Sequence, residues 1–220
     1  MTLNIVKVGG SLSKNPEALR KLCQKLSLIA QNHPILVVPG GGKFADCVRE
    51  ADKHFSLSAK VTHRMAILGM DQYGLLLSDL IPNCQVAESL EEAKSACVGR
   101  LVVFLPSRFM FSDDGLPNSW QVTSDSIAAY IAGKLGAEKL LLIKDVDGLY
   151  TCDPKQNPNA QLLKHLTVSE LLGTKTCVDD YLPKLLKKSG IDCFVVNGFY
   201  PDRVEAVLKG QTALCTLVSP

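Results

Sequence analysis

Leu3-Asn-Ile-Val-Lys-Val-Gly-Gly-Ser-Leu12 decides how the rest of this 220-residue chain is read. An apolar run carries one lysine and ends in two glycines and a serine. A buried strand feeding a loop almost free of side chains lets backbone N–H groups approach an anion, and Lys7 adds a formal positive charge. Neither common phosphate loop is present. GxxxxGK[ST] is absent, and Gly9-Gly10 lacks the third glycine of GxGxxG. Lys7, Gly9, Gly10 and Ser11 therefore form an anion site whose meaning depends on what else the chain supplies.

It supplies a second one. Gly40-Gly41-Gly42 follows the β-branched run 35–38 and opens a helical pattern. One glycine is enough for a strand-to-helix turn, so three in a row favour a backbone cradle for phosphate. Two such loops would hold two phosphoryl groups near each other, as phosphoryl transfer requires. Thr123-Ser124-Asp125-Ser126 stands at another helix start. Thr123 or Ser124 serves as N-cap, and Asp125 either complements the helix dipole or orients Lys7. Lys144-Asp145-Val-Asp147-Gly148-Leu-Tyr150 follows a further apolar strand. Acidic residues at that edge point to a ligand or Mg²⁺, against a reading in which Asp147-Gly148 only sets a turn. Tyr150 and Asp153-Pro154 would wall a base pocket.

Composition narrows the classes. With 46% hydrophobic and 21% charged residues the chain is not disordered. Lys+Arg 24 against Asp+Glu 22, net +2, is too mild for nucleic-acid or membrane-surface binding. No run approaches the roughly 18 apolar residues of a membrane span. With a core-like strand from Leu3 no signal peptide is expected, and the compartment expected is the cytoplasm. Eight cysteines without a CxxC pair exclude a zinc ribbon or thioredoxin motif and predict buried, reduced thiols.

Strand and helix signals alternate. Strands are predicted at 3–8, 35–38, 101–105, 139–143, 193–196 and 214–218, the last closing the sheet. Helices are predicted at 16–30, 44–53, 59–80 (capped by Ser58), 86–97, 125–135 (stopped by Gly136), 168–172, 181–188 and 201–208. Asp114-Gly115 is read as a hairpin turn joining 108–112 to the run after it. Strands without alternation, separated by helices, imply an α/β fold: a three-layer α/β/α sandwich on a largely parallel sheet, as one domain over 1–220. Ligands of such sheets bind at the carboxyl edge.

Lys7-x-Gly9-Gly10-Ser11, Gly40-Gly-Gly42, Ser124-Asp125-Ser126, Asp145-x-Asp147-Gly148-x-Tyr150 and Val195-x-Asn197-Gly198 together resemble the amino acid kinase superfamily. The resemblance implies ATP- and Mg²⁺-dependent transfer to a carboxylate, carbamate or phosphate. It assigns Lys7 to the transferring phosphoryl and Asp125 to orienting Lys7. Gly9, Gly10 and Ser11 fall to the donor phosphates, and Asp145, Asp147, Gly148, Tyr150, Asp153 and Pro154 to the nucleotide side. Gly40, Gly41, Gly42, Thr123 and Ser124 fall to the acceptor. Val178-Asp179-Asp180-Tyr-Leu-Pro183-Lys184 keeps a lysine where N-acetylglutamate kinases have their second catalytic one, with Lys187 as competitor. The metal ligands stay unassigned. Isopentenyl phosphate kinases carry a histidine after the triple glycine, whereas this chain reads Gly42-Lys-Phe-Ala-Asp46. Ser119-Trp120, Thr123–Ser126, Thr176-x-Val178-Asp179 and Asn197-Gly-x-x-Pro201-x-Arg203-Val204 resemble the branch acting on a furan-methyl phosphate in methanofuran biosynthesis. Uridylate kinase is the rival assignment, and a nucleotide-binding storage or regulatory protein is the non-catalytic one. Trp120 stacks on a furan ring or packs in the core, and His63 meets an acceptor phosphate or is structural. Family habit and the 59–80 helix imply a homo-oligomer.

Overall fold

The computed structural model describes residues 3–97, 99–174 and 176–220. Its first half runs β1 (Asn4–Val8), a 3-10 turn (Gly10–Lys14), α1 (Pro16–Ile29), β2 (Ile35–Pro39), α2 (Gly42–Phe55) and α3 (Ala59–Leu80). There follow β3 (Gln85–Ala87), α4 (Leu90–Ala96), β4 (Leu101–Phe104), α5 (Ser107–Ser112) and α6 (Ser124–Leu135). Then come β5 (Lys139–Lys144), β6 (Leu149–Tyr150), β7 (Leu162–Leu163), β8 (His165–Thr167) and α7 (Val168–Leu171). The chain ends with α8 (Leu182–Ser189), β9 (Asp192–Asn197), α9 (Pro201–Leu208) and β10 (Cys215–Ser219).

Eight strands form one sheet in the order β3-β4-β2-β1-β5-β9-β10-β8, parallel throughout except where β10 runs against β9. Central strands are apolar on both faces because helices cover both. Ile5, Leu36, Leu140, Leu142 and Val195 pack with Ile127, Ile131 and Leu186 of α6 and α8. Val6, Val8, Val37, Leu141 and Ile143 pack on the opposite side with Leu22, Leu26, Tyr73, Leu77 and Val204 of α1, α3 and α9. This is the α/β/α sandwich expected from the strand pattern.

Several local expectations need correction. Residues 86–97 are not one helix: Val86 lies in the edge strand β3, and Ser89 caps α4 with a reciprocal Glu92 contact. No hairpin forms at Asp114-Gly115. Residues 107–112 are helical, and Asp113 is held by Tyr130 and Lys134 of α6. The run ending at Val218 does not close the sheet, because β8 pairs beyond it. Three residues carry too little pattern to signal such a strand. Of the eight free cysteines only Cys23, Cys97 and Cys193 are buried.

Candidate active site

Alternation along β1 sends Lys7 to the same face as Ile5, the face covered by α6. Lys7 pairs in register with Leu142, so Lys144, two residues further along β5, shares that face at the strand's carboxyl end. Asp125, in the first turn of α6, meets both. Lys7 Nζ lies 2.8 Å from its Oδ1, and Lys144 Nζ lies 2.7 Å from its Oδ2. Lys144 also donates to the Cys177 carbonyl at 2.7 Å.

All three side chains are nearly closed to solvent, with exposures of 6%, 12% and 4% for Lys7, Lys144 and Asp125. Burial is the largest influence on Lys7 and, with Lys144 pushing the same way, holds it below the ordinary lysine value despite Asp125. On Lys144 burial is outweighed, chiefly by Asp125, and the net shift is upward. Burial would raise Asp125, but the two lysines together hold it well below the usual carboxylate range. Two cations thus share one directly paired carboxylate, with the Asp179 charge further off, and both ammonium groups can meet an incoming anion.

Above this cluster the two glycine loops touch. A Cβ on Gly10 would sit 2.2 Å from Gly42 N and 2.3 Å from Gly42 Cα, so no side chain fits between them. Gly42 adopts φ +54°, which a glycine takes without strain. Neither the 3-10 turn nor α2 has a side-chain N-cap, which leaves their first-turn N–H groups for a ligand.

These features line a cavity of about 1380 Å³, larger than the ~300–1,000 Å³ of a single small-molecule site. One end carries Asp145, Gly148, Tyr150, Asp153 and Pro154. Asp145 accepts from Ser11 at 3.0 Å and Lys155 at 2.6 Å, and these contacts outweigh burial to hold its carboxyl low. The other end carries His63, Trp120 and Arg49. Trp120 is 38% exposed, so it is not core. Its indole donates to Asp52 at 3.0 Å, and the Arg49 guanidinium sits 5.1 Å from the ring centroid. His63 is buried, and burial keeps its imidazole below the ordinary value against a Ser119 backbone hydrogen bond.

The 176–180 segment organises the cavity wall that carries Thr123 and Asp125. Asp179 accepts from the backbone and hydroxyl of Thr123, the backbone and hydroxyl of Ser126, and the backbone N–H groups of Tyr181 and Leu182. It joins the N-termini of α6 and α8, and so aims Asp125 at the lysines.

Residues 2–197 match the Amino acid kinase family. The chain belongs to that family. It is 33% identical over 217 residues, 98% of this chain and 97% of the relative, to the [5-(aminomethyl)furan-3-yl]methyl phosphate kinase of Methanocaldococcus jannaschii. Over 224 residues it is 26% identical to the uridylate kinase of Pyrococcus abyssi, covering 94% of this chain and 95% of that one. The solved uridylate kinase of Archaeoglobus fulgidus superposes with TM-score 0.78 at 25% identity, with both chains covered in full. The chain is an enzyme of kinase type.

Within this kinase three expected site residues lie elsewhere. Lys184 is exposed, outside the cavity lining, with Nζ 5.2 Å from the Tyr181 ring. Helical spacing from Pro183 carries it outward. Asp147 turns away from the cavity to accept from Arg203 at 2.7 Å and Asn197 at 2.9 Å. Gly40 donates to Val8 and backs against Gly10, so it spaces the loops and does not line the cavity. Lys144 and Asp179 carry no role that their sequence motifs assign. Strand alternation from Leu140 and Leu142 was the available signal for Lys144, whereas Asp179 meets Thr123 across 56 residues, a contact no local pattern announces.

Proposed function

We propose that this kinase transfers the γ-phosphoryl group of ATP to a phosphate monoester, [5-(aminomethyl)furan-3-yl]methyl phosphate, forming its diphosphate. The Lys7–Asp125–Lys144 cluster, lining one cavity with the two touching glycine cradles, carries the reading. The terminal P–O bond of the triphosphate breaks with its electron pair left on ADP, and an acceptor phosphate oxygen makes the new P–O bond. That oxygen is already ionised, so no base is needed. Asp125, held ionised between two lysines, is suited to orienting cations and unsuited to taking a proton. Positioning and charge neutralisation provide the acceleration.

The donor lies along Gly9, Gly10 and Ser11 toward Tyr150, and the acceptor between Gly41, Gly42, Thr123, Ser124 and Trp120. Among the described residues no group of three or more histidine, cysteine or acidic side chains stands ready to hold a metal. That donor set suits Mg²⁺ held mainly by phosphate oxygens with few carboxylates, Asp145 and Asp153 being those at the nucleotide end. The ion neutralises the triphosphate when bound. A cytoplasmic setting goes with this reading, and no helix among the described residues is long and apolar enough to cross a membrane.

The likeness to uridylate kinases supports uridylate as the second acceptor to assay. An ADP-coupled panel should show turnover with the furan phosphate well above uridylate. Higher kcat/KM with uridylate would move the assignment, and ATP binding without turnover on any monophosphate would favour a storage or regulatory role.

The outward face of α3 supports self-association. Val61, Leu68 and Leu75 recur every seven residues and are each 45–54% exposed, opposite the buried Thr62, Met70, Tyr73 and Leu77. Lys60 and Arg64 lie exposed near one end of the stripe and Asp79 near the other, so antiparallel packing on a second copy opposes unlike charges. Leu68→Glu should convert the assembly to monomer by light scattering. An unchanged mass would remove this face from the interface.

A further inference from the structure

The second cation of the cluster has no assigned work. As a purely structural counter-charge Lys144 is redundant, since Lys7 already pairs with Asp125. Burying a second ammonium against a carboxylate that Lys7 already pairs, with the Asp179 charge further off, costs desolvation and adds repulsion between the two lysines. The arrangement becomes favourable once an anion joins it. Geometry agrees. Lys144 lines the cavity together with Lys7 and Asp125. Its ammonium has three N–H donors, two of which are engaged by Asp125 Oδ2 and the Cys177 carbonyl, each at 2.7 Å. Among the described residues one donor is left, on a side chain whose direction is fixed at both other contacts. The Cys177 carbonyl belongs to the same Thr176–Asp180 strap whose Asp179 anchors α6, so one backbone segment holds both Lys144 and the helix that carries Asp125.

We propose that Lys144 is the second phosphoryl-binding cation of the reaction, acting opposite Lys7 on the group in transfer, and that the Cys177 carbonyl positions it. This rests on the phosphotransferase reading above. During transfer the oxygens of the moving phosphoryl carry the charge while one P–O bond breaks to ADP and the other forms to the acceptor, with no proton moved. Lys7 and Lys144, tied through the two oxygens of Asp125, meet that charge from two neighbouring strands, β1 and β5. Lys184, solvent-exposed beside Tyr181, takes no part.

The test compares full-length Lys144→Gln, Lys144→Arg and Lys184→Met with wild type. Lys144→Gln can still donate to the Cys177 carbonyl, and Lys144→Arg keeps the charge, so at least one folded variant reads the site. Thermal unfolding checks folding of each. Lys144→Gln should lose about 10²–10³-fold in kcat, the size of losing one charge-stabilising donor, with ADP affinity within about threefold of wild type. Lys144→Arg should recover part of that loss, and Lys184→Met should stay within about twofold. Calorimetric titration of inorganic phosphate into the ADP-bound protein gives a readout that needs no acceptor. Affinity should drop about tenfold or more in Lys144→Gln and hold in Lys184→Met. Retained kcat and phosphate affinity in Lys144→Gln, or their loss in Lys184→Met, overturns the proposal. So does a parallel loss of ADP affinity and folding stability in Lys144→Gln, which marks a structural role. Wild-type protein that turns over no monophosphate refutes the acceptor reading alone, because the phosphate titration still reports on Lys144.

Discussion

Replacing Asp125 with asparagine tests the charge argument at its centre. The side chain keeps its size and loses only the charge that two buried lysines share. Removing one partner of a buried ion pair costs about 3–5 kcal/mol, because the remaining charge stays desolvated and uncompensated. Here two ammonium groups lose the counter-charge that stood 2.8 and 2.7 Å away, and the amide oxygen can still accept from only one side. For a chain of this length ~1 kcal/mol moves the midpoint by about 2–4 °C, so calorimetry should show a fall of roughly 6–20 °C. An anion should then substitute for the missing carboxylate. Phosphate at about 100 times its Kd returns ~2.7 kcal/mol, so it should raise the variant's midpoint more than the wild type's. The sign with pH follows from the depressed folded-state value of Asp125. Its stabilisation is complete above the ordinary 3.8 and disappears as pH falls through the lower folded value. The gap between wild type and variant should accordingly be full at pH 7 and close in acid. A midpoint lowered by less than about 2 °C, or equal phosphate stabilisation of both proteins, would refute the reasoning.

Three further outcomes are expected. Gly10→Ala drives a Cβ into the Gly42 backbone, so it should lower the midpoint and weaken binding at both ends of the cavity in equilibrium titrations; near-native affinity would show that the loops can part. Trp120 is the single tryptophan, so its fluorescence should respond when acceptor is added and much less to ADP alone; the reverse pattern would exchange the two ends of the cavity. Arg203→Gln leaves Asp147 with Asn197 alone and loosens the turn that carries Asp145 and Tyr150, and should raise KM for ATP several-fold with kcat little changed and Arg203→Lys partly restoring it. An unaltered KM would confine the Arg203–Asp147 pair to surface stability.

Short-range physics carried most of the fold. Apolar runs such as 35–38 and 101–105 lack alternation because both faces are covered, and that alone implies a parallel sheet between helix layers. Local chemistry marked Ser58 as a cap, Gly136 as a stop and Pro201 as a helix start, and each performs that part. Where the pattern was only a few residues long it misled. Val86 and Ala87 of β3 read as the start of the helix after them, and Asp114-Gly115 reads as a hairpin although its neighbours pack on α6.

The site divides along the same line. Two glycine loops, a lysine on the first strand and an acidic residue at a helix start were legible because each is a local departure from what a core element needs. Sequence alone thus determined the sandwich, the two cradles and the identity of Lys7 and Asp125 as candidates. Tertiary structure decided which charges share a space. It brought Lys144 to Asp125, turned Asp147 toward Arg203, left Lys184 in solvent and tied Thr123 to Asp179. Those choices depend on strand register and on side chains tens of residues apart, and a charge's partner is set by distance in space.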